Sequence, residues 1–194
     1  MRENKDCSFR LSSGQRQRIH VIGTSGSGKS TLARRLAQRL NSSYIELDAL
    51  HWLPNWQEEA NDCFREKLKD RLSCSAWVLD GNYFSKSVDI QWAVQGGATA
   101  VVWCDYSFSL TMVRAIKRAC VRAWTQQEVW PGTANRESFR RSFFSHESIV
   151  LWTMHSFWSN RSRYSKIIAE NQFPHLKFIR LRSRKQTETF MSQF

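Results

Sequence analysis

The chain has 194 residues, 41% hydrophobic and 24% charged, with a formal net charge of +12 and a pI near 10.0. That length suits one globular core, and the hydrophobic fraction excludes a disordered polymer. No run approaches the ~18 apolar residues of a membrane span, and the basic start MRENKDCSFRLSSGQRQR lacks the apolar segment of a secretory signal.

Residues 1–17 read as a flexible leader, and residues 18–194 as a single domain. A short apolar run, Ile19 to Gly23, predicts the first strand, and Leu32 to Leu40 carry a helical pattern. The run SYIELD predicts a second strand closing at Asp48. Pro54-Asn55 then reads as a helix start, because Asn55 and Glu58 have capping-box spacing, with Phe64, Leu68 and Leu72 on its apolar face. AWVLD predicts a third strand ending at Asp80, and TAVVWCD a fourth ending at Asp105. A helix is expected from Ser109 to about Trp124, a break at Pro131-Gly132, and a long helical region over about Ser138–Glu170. LKFIRL, Leu176 to Leu181, predicts the last strand. A short helix follows from Ser183, with Gln186 at the capping-box position. Apolar strands alternating with helices predict an α/β protein whose parallel sheet is covered on both faces.

Charge is unevenly placed. Residues 1–107 hold 14 basic against 12 acidic side chains, whereas residues 108–194 hold 15 against 5. A half this basic suits phosphate, as nucleotide or as nucleic acid. Five scattered cysteines without metal spacing read as reduced packing thiols, which places the chain in the cytoplasm.

Gly23-Thr24-Ser25-Gly26-Ser27-Gly28-Lys29-Ser30 fits G-x-x-x-x-G-K-[ST] residue for residue, with Thr31 next. Glycines let the backbone curl round a phosphate, and its N–H groups join the positive end of the following helix. Lys29 is expected to reach the β- and γ-phosphates, and the Ser30 hydroxyl to ligate Mg²⁺. The motif therefore calls for a nucleoside triphosphate, ATP, with Mg²⁺.

Asp48, Asp80 and Asp105 each close a hydrophobic run, where ligands of an open α/β sheet collect. Asp80 is expected on the magnesium side and Asp48 on the acceptor side, with Asp105 capping a helix or turn. Arg114, Arg118 and Arg122 recur every four residues along one side of a helix, with Val113, Ile116, Cys120 and Trp124 as its apolar stripe. With Arg136, Arg140 and Arg141 they suggest a basic flap over the phosphate loop. Among nine tryptophans, Trp52 and Trp56 suit a wall for a planar ring, while Trp77, Trp103, Trp152 and Trp158 are expected in the core.

GTSGSGKSTLARRLA, IELDALHWLPNW, WVLDGNY, VVWCDY, the arginine-rich helix, Asn135-Arg136-Glu137-Ser138 and the closing RLRS together resemble the adenylate-kinase-related P-loop proteins called topology modulation proteins. The resemblance spans Ile19 to Phe190. It implies a three-layer P-loop fold of nucleoside-monophosphate-kinase type, with a five-stranded parallel sheet, an acceptor-binding insertion and an arginine-bearing helical lid over about residues 110–145. Lys29 and Ser30 carry over as triphosphate and metal residues, Asp80-Gly81 as the Asp-Gly after the third strand, and Arg118, Arg122 and Arg136 as lid arginines. Arg182 and Ser183 would lie near the adenine. The fourth-strand turn reads Asp105-Tyr106-Ser107 instead of Asp-Tyr-Pro, and Asn82-Tyr83 replaces Phe-Pro-Arg. Adenosine monophosphate is therefore not carried over as the acceptor.

The expected function is ATP- and Mg²⁺-dependent phosphoryl transfer to a small acceptor, a nucleotide or similar hydroxyl- or phosphate-bearing molecule. Two other readings share the motifs. One is a nucleic-acid-associated ATP-binding protein that affects DNA topology, and the other is a low-turnover nucleotide switch. The first predicts steep salt dependence, the second tight ATP binding without acceptor-dependent ADP release.

Overall fold

The computed structural model describes residues 17–83, 92, 97–144 and 148–194, so almost all of the expected leader lies outside the described residues. Five parallel strands, β1 (Arg18–Ile22), β2 (Ser43–Glu46), β3 (Trp77–Asp80), β4 (Ala100–Cys104) and β5 (Lys177–Leu181), form one sheet. Its order is β2-β3-β1-β4-β5. The three inner strands are apolar on both faces, as parallel strands covered by helices must be, whereas β2 and β5 are only partly buried.

One face packs Ile19, Val21, Val78, Val102 and Ile179 against Leu32, Ala33 and Leu36 of α1 (Lys29–Arg39) and against Phe190 and Met191 of α7 (Arg184–Met191). The other packs Ile22, Leu79, Val101 and Trp103 against Phe64 and Leu68 of α3 (Asn61–Arg71) and against Tyr164 and Ile167 of α6 (Ile149–Ala169). Each fully buried aliphatic side chain contributes about 1.5–3 kcal/mol relative to exposure. Among the described residues the other α-helices are α2 (Leu47–His51), α4 (Phe108–Thr125) and α5 (Phe139–Phe144). Among the described residues, no helix is long and apolar enough to cross a membrane.

Several expected boundaries move. β2 stops at Glu46, so Asp48 sits in the first turn of α2 and not at a strand end. Pro54–Trp56 make only one 3-10 turn: Asn55 and Trp56 take left-handed φ values of 59° and 58°. Glu58 pairs its backbone with Trp52. The capping-box geometry is therefore absent, and the helix starts at Asn61. The long helical region divides into α5 and α6, with residues 145–147 between them outside the description. At α7 the cap is as expected in part: Ser183 Oγ accepts from the Gln186 N–H at 3.2 Å, but the Gln186 side chain accepts from the Arg182 N–H at 2.7 Å.

Trp77 and Trp103 are buried as expected, but Trp152 and Trp158 are 65% and 61% exposed. The four described cysteines are free; Cys104 is buried, and Cys63 and Cys74 are exposed, so those two are not packing thiols. Cys7 lies outside the described residues. Asp105 does not cap a helix. Its buried carboxylate gathers Arg180 at 2.6 Å, Arg161 at 3.5 Å and Arg182 at 3.7 Å, joining β5 and α6 to the end of β4.

Beneath the sheet end, His20 is buried between two partners. Its Nδ1 accepts from the Trp92 indole N–H at 2.8 Å, so Nε2 carries the proton and donates to the Gly81 carbonyl at 2.8 Å. Burial lowers its pKa from 6.5 to about 4. The unfolded chain then takes up the proton first, and folding stability falls as pH drops through the window from 6.5 to about 4. The loss from this group is about 3 kcal/mol across that window. Urea unfolding of the wild type and His20→Gln at pH 7 and pH 4 measures it: the variant should have the flatter pH dependence, and equal slopes would contradict it.

Candidate functional site

The loop between β1 and α1 is built to approach an anion. Gly28 caps α1 in the left-handed conformation, φ 86°, without a side-chain cap hydrogen bond, which leaves the first-turn N–H groups for a ligand. Gly26, at φ 83°, lies so close to α4 that a Cβ there would stand 2.4 Å from the Thr111 carbonyl oxygen and 3.0 Å from the Ala115 Cβ. Asn82 clamps the loop's entry: its Oδ1 accepts from the Gly23 N–H at 3.0 Å and its Nδ2 donates to the Gly23 carbonyl at 2.7 Å. Thr24 is buried at the turn, its carbonyl accepting from the Ser27 N–H at 3.0 Å.

A cleft of about 1280 Å³ opens over this loop. Ser25, Gly26, Ser27, Gly28, Lys29, Ser30 and Thr31 line its floor. Asp48, Trp52, Trp56 and Tyr83 line one end, and Arg114, Arg118, Arg122 and Arg141 reach into it from the helical side.

Asp80 ends β3 beside Val21 of β1, so the sheet register fixes it next to the phosphate loop. It is buried, and burial pushes its pKa up, opposed by the Lys29 ammonium and the nearby Ser30 and Tyr44 hydroxyls. Asp80 Oδ2 accepts from the Tyr44 hydroxyl at 3.0 Å, while Oδ1 is buried with no hydrogen-bond partner. A spare buried carboxylate oxygen and a serine hydroxyl are hard oxygen donors, the chemistry a magnesium ion and its water shell require. Among the described residues, no three His, Cys, Asp or Glu side chains gather into a metal cage. The residues fit an ion held largely by the nucleotide, with Ser30 and Asp80 supporting it.

Asp48 Oδ1 accepts from the Tyr83 hydroxyl at 2.7 Å. Burial, with Asp48 beside it, drives that hydroxyl well above the ordinary tyrosine range, so it stays protonated and a donor. Trp52, Trp56 and Trp130 stand together at ring separations of 5.7, 5.8 and 6.4 Å, with Trp52 and Trp130 nearly parallel. The Arg141 guanidinium lies 4.4 Å over the Trp56 ring.

On α4 the arginines point inward. Arg118 Nη2 donates to Ser25 Oγ at 2.5 Å, and Arg122 Nη1 donates to Glu137 Oε1 at 2.9 Å. Burial and the neighbouring Arg122 charge lower the Arg118 pKa. The apolar stripe expected to pack is the one left outside: Val113 is 63% and Trp124 82% exposed. The buried face is instead Thr111, Ala115, Ala119 and Ala123, small enough to let the helix touch the loop.

Six expected site residues are not among those lining the cleft: Gly23 and Thr24 are buried at the start of the loop and Asp80 is buried at the end of β3, while three others lie further off. Arg136 is exposed, its backbone bridged to Glu128, and it is not among the lining residues. Arg182 extends toward Asp105, and Ser183 caps α7. Arg184, the next residue, and Thr187 and Glu188, one turn further on, line the cleft in the place of Arg182 and Ser183. Sequence reasoning also gave no part to Trp130, Glu46 or Asn82. Only Asn82 carried a signal, the motif DGNY.

Residues 19–78 match the family described as ATPase family associated with various cellular activities (AAA), a stretch that begins at the phosphate-loop strand. An uncharacterized protein of Bacillus subtilis (strain 168), YqaC, is 34% identical over 68 residues, which are 34% of this chain. The match spans only 38% of that relative's length. The crystal structure of shikimate kinase from Bacteroides thetaiotaomicron aligns over 91% of this chain and 95% of that one, at 13% identity and a TM-score of 0.48. With its five-stranded parallel sheet and a phosphate loop after the central strand, the chain has an α/β fold of P-loop type.

Proposed function

We propose that this chain is an ATP- and Mg²⁺-dependent phosphotransferase acting on a small acceptor, a nucleotide or similar hydroxyl- or phosphate-bearing molecule. One observation carries the reading: one cleft is lined by Ser25–Thr31 of the phosphate loop, by Arg114, Arg118 and Arg122, and by an Asp48–Tyr83 pair beside tryptophans. The resemblance to topology modulation proteins supports the same reading. It goes with one domain over residues 18–194, in which the stretch of about 110–145 acts as the lid.

In this reading the loop N–H groups and Lys29 bind the triphosphate, and Ser30 and Asp80 support the magnesium ion, which neutralises phosphate charge when bound. Asp48 orients the acceptor oxygen and takes its proton as the new P–O bond forms and the bond to the departing ADP breaks. Arg118 and Arg122 meet the charge that spreads over the transferring phosphoryl oxygens. The α4 arginines Arg114, Arg118 and Arg122 line the cleft, and Arg118 donates to the phosphate loop, which favours phosphoryl transfer over a nucleic-acid surface.

Two variants test the split of roles. Asp80→Asn should raise the Mg²⁺ concentration needed for half-maximal turnover, with partial rescue at high Mg²⁺. Asp48→Asn should keep ATP and Mg²⁺ binding while acceptor-dependent ADP release falls about 100-fold, within the usual range for losing a general base. ADP release screened against nucleotides, nucleosides and sugars measures both. Identical defects in the two variants would refute the division.

A further inference from the structure

Tyr44 has one hydroxyl proton and two carboxylates within reach: Asp80 Oδ2 at 3.0 Å and Glu46 Oε2 at 3.1 Å. A hydroxyl donates once, so the two carboxylates compete for it. Glu46 has other donors. Arg34 Nη2 supplies a hydrogen bond to Oε2 at 2.8 Å, and the Trp130 indole N–H supplies one to Oε1 at 3.3 Å. With Glu46 satisfied, the Tyr44 proton is free for Asp80 Oδ2, which leaves the buried Oδ1 as the carboxylate's open oxygen.

Trp130 is tied to the wall at the cleft's other end. The Asn135 carbonyl accepts from the Val129 N–H at 2.8 Å, beside Trp130 in the chain. The Asn135 side chain then donates to the Leu53 carbonyl at 2.9 Å and accepts from the Trp56 N–H at 2.9 Å. The segment carrying Trp130 is thus latched onto the segment carrying Trp52 and Trp56. Its indole completes the wall and touches Glu46 at once.

We propose that Tyr44 and Glu46 are positioning residues forming a relay, in which docking of Trp130 on Glu46 releases the Tyr44 proton to aim Asp80 at the nucleotide's metal ion. Closure of the acceptor end therefore tightens the metal end. This rests on the assignment of Asp80 to the metal in the proposed function.

Tyr44→Phe keeps the ring and removes the shared proton; Trp130→Phe keeps an aromatic wall and removes the donor. The direct readout is Mn²⁺ binding, followed by electron paramagnetic resonance, to the protein holding a non-hydrolysable ATP analogue, with thermal unfolding as a control. Tyr44→Phe should weaken Mn²⁺ binding about tenfold, as loss of a group that orients a metal-supporting carboxylate does. Trp130→Phe should weaken it less. The double variant should be no worse than Tyr44→Phe alone, because both act through one proton. Wild-type Mn²⁺ affinity in a normally stable Tyr44→Phe, or fully additive losses in the double variant, would overturn the relay. If Asp80→Asn weakens Mn²⁺ binding while Tyr44→Phe does not, the relay alone falls. If Asp80→Asn also binds Mn²⁺ normally, the metal assignment falls with it.

Discussion

Lys29→Ala should lower acceptor-dependent ADP release by about 10²–10³-fold, the usual cost of removing one preorganised charge from a developing anion. Lys29 opens α1 on the cleft floor, at the positive end of the helix and within electrostatic reach of Asp80. Alanine suits a helix start, so thermal unfolding without nucleotide should change little. The Lys29 charge also holds the Asp80 pKa below where burial alone would put it. In the variant Asp80 therefore keeps its proton to higher pH, and any residual activity should lose its acid limb at higher pH than the wild type. Steady-state kinetics from pH 5 to 9 measure both effects. Undiminished turnover would remove the phosphate loop from the reaction altogether.

Gly26→Ala should damage the fold and the nucleotide site together. The residue's φ of 83° costs an ordinary side chain roughly 1 kcal/mol. The larger penalty is steric. The added methyl would lie 2.4 Å from the Thr111 carbonyl oxygen, and backbone cannot swing aside as a side-chain tip can. Overpacking of this kind typically costs about 1–3 kcal/mol. Relief comes only by parting the loop from α4, which would pull Ser25 off Arg118. Thermal unfolding should show the loss without ligand, and a fluorescent ATP analogue should bind at least ~10-fold more weakly, about 1.4 kcal/mol. Wild-type stability and binding would mean that α4 does not press on the loop as closely as the structure has it.

Five strands, the longer helices in outline and the phosphate loop were legible in the amino-acid sequence because each is a local matter. Apolar runs such as Ile19–Ile22 and Trp77–Leu79 must be covered on both faces, and the Gly-Lys-Ser ending of the loop is a contiguous backbone device. Asp80 was legible for the same reason: it ends a fully buried strand, and parallel pairing with β1 puts it beside the loop.

Tertiary structure alone decided the rest. A helix with arginines on one side and Val113, Ile116 and Trp124 on the other satisfies two opposite packings, and periodicity cannot choose between them. The small face of Ala115 and Ala119 and the need to touch Gly26 chose the one that turns the arginines inward. The wall around Trp52 was invisible in full because Trp130 and Asn135 reach it from about 80 residues away, through hydrogen bonds that no local spacing encodes. The resemblance put Arg182, within RLRS, near the adenine, but the Asp105 carboxylate, buried at the end of β4, holds it in a charge cluster instead. Local sequence fixes which groups are available; the competition among distant partners for the same buried charge and space fixes where they point.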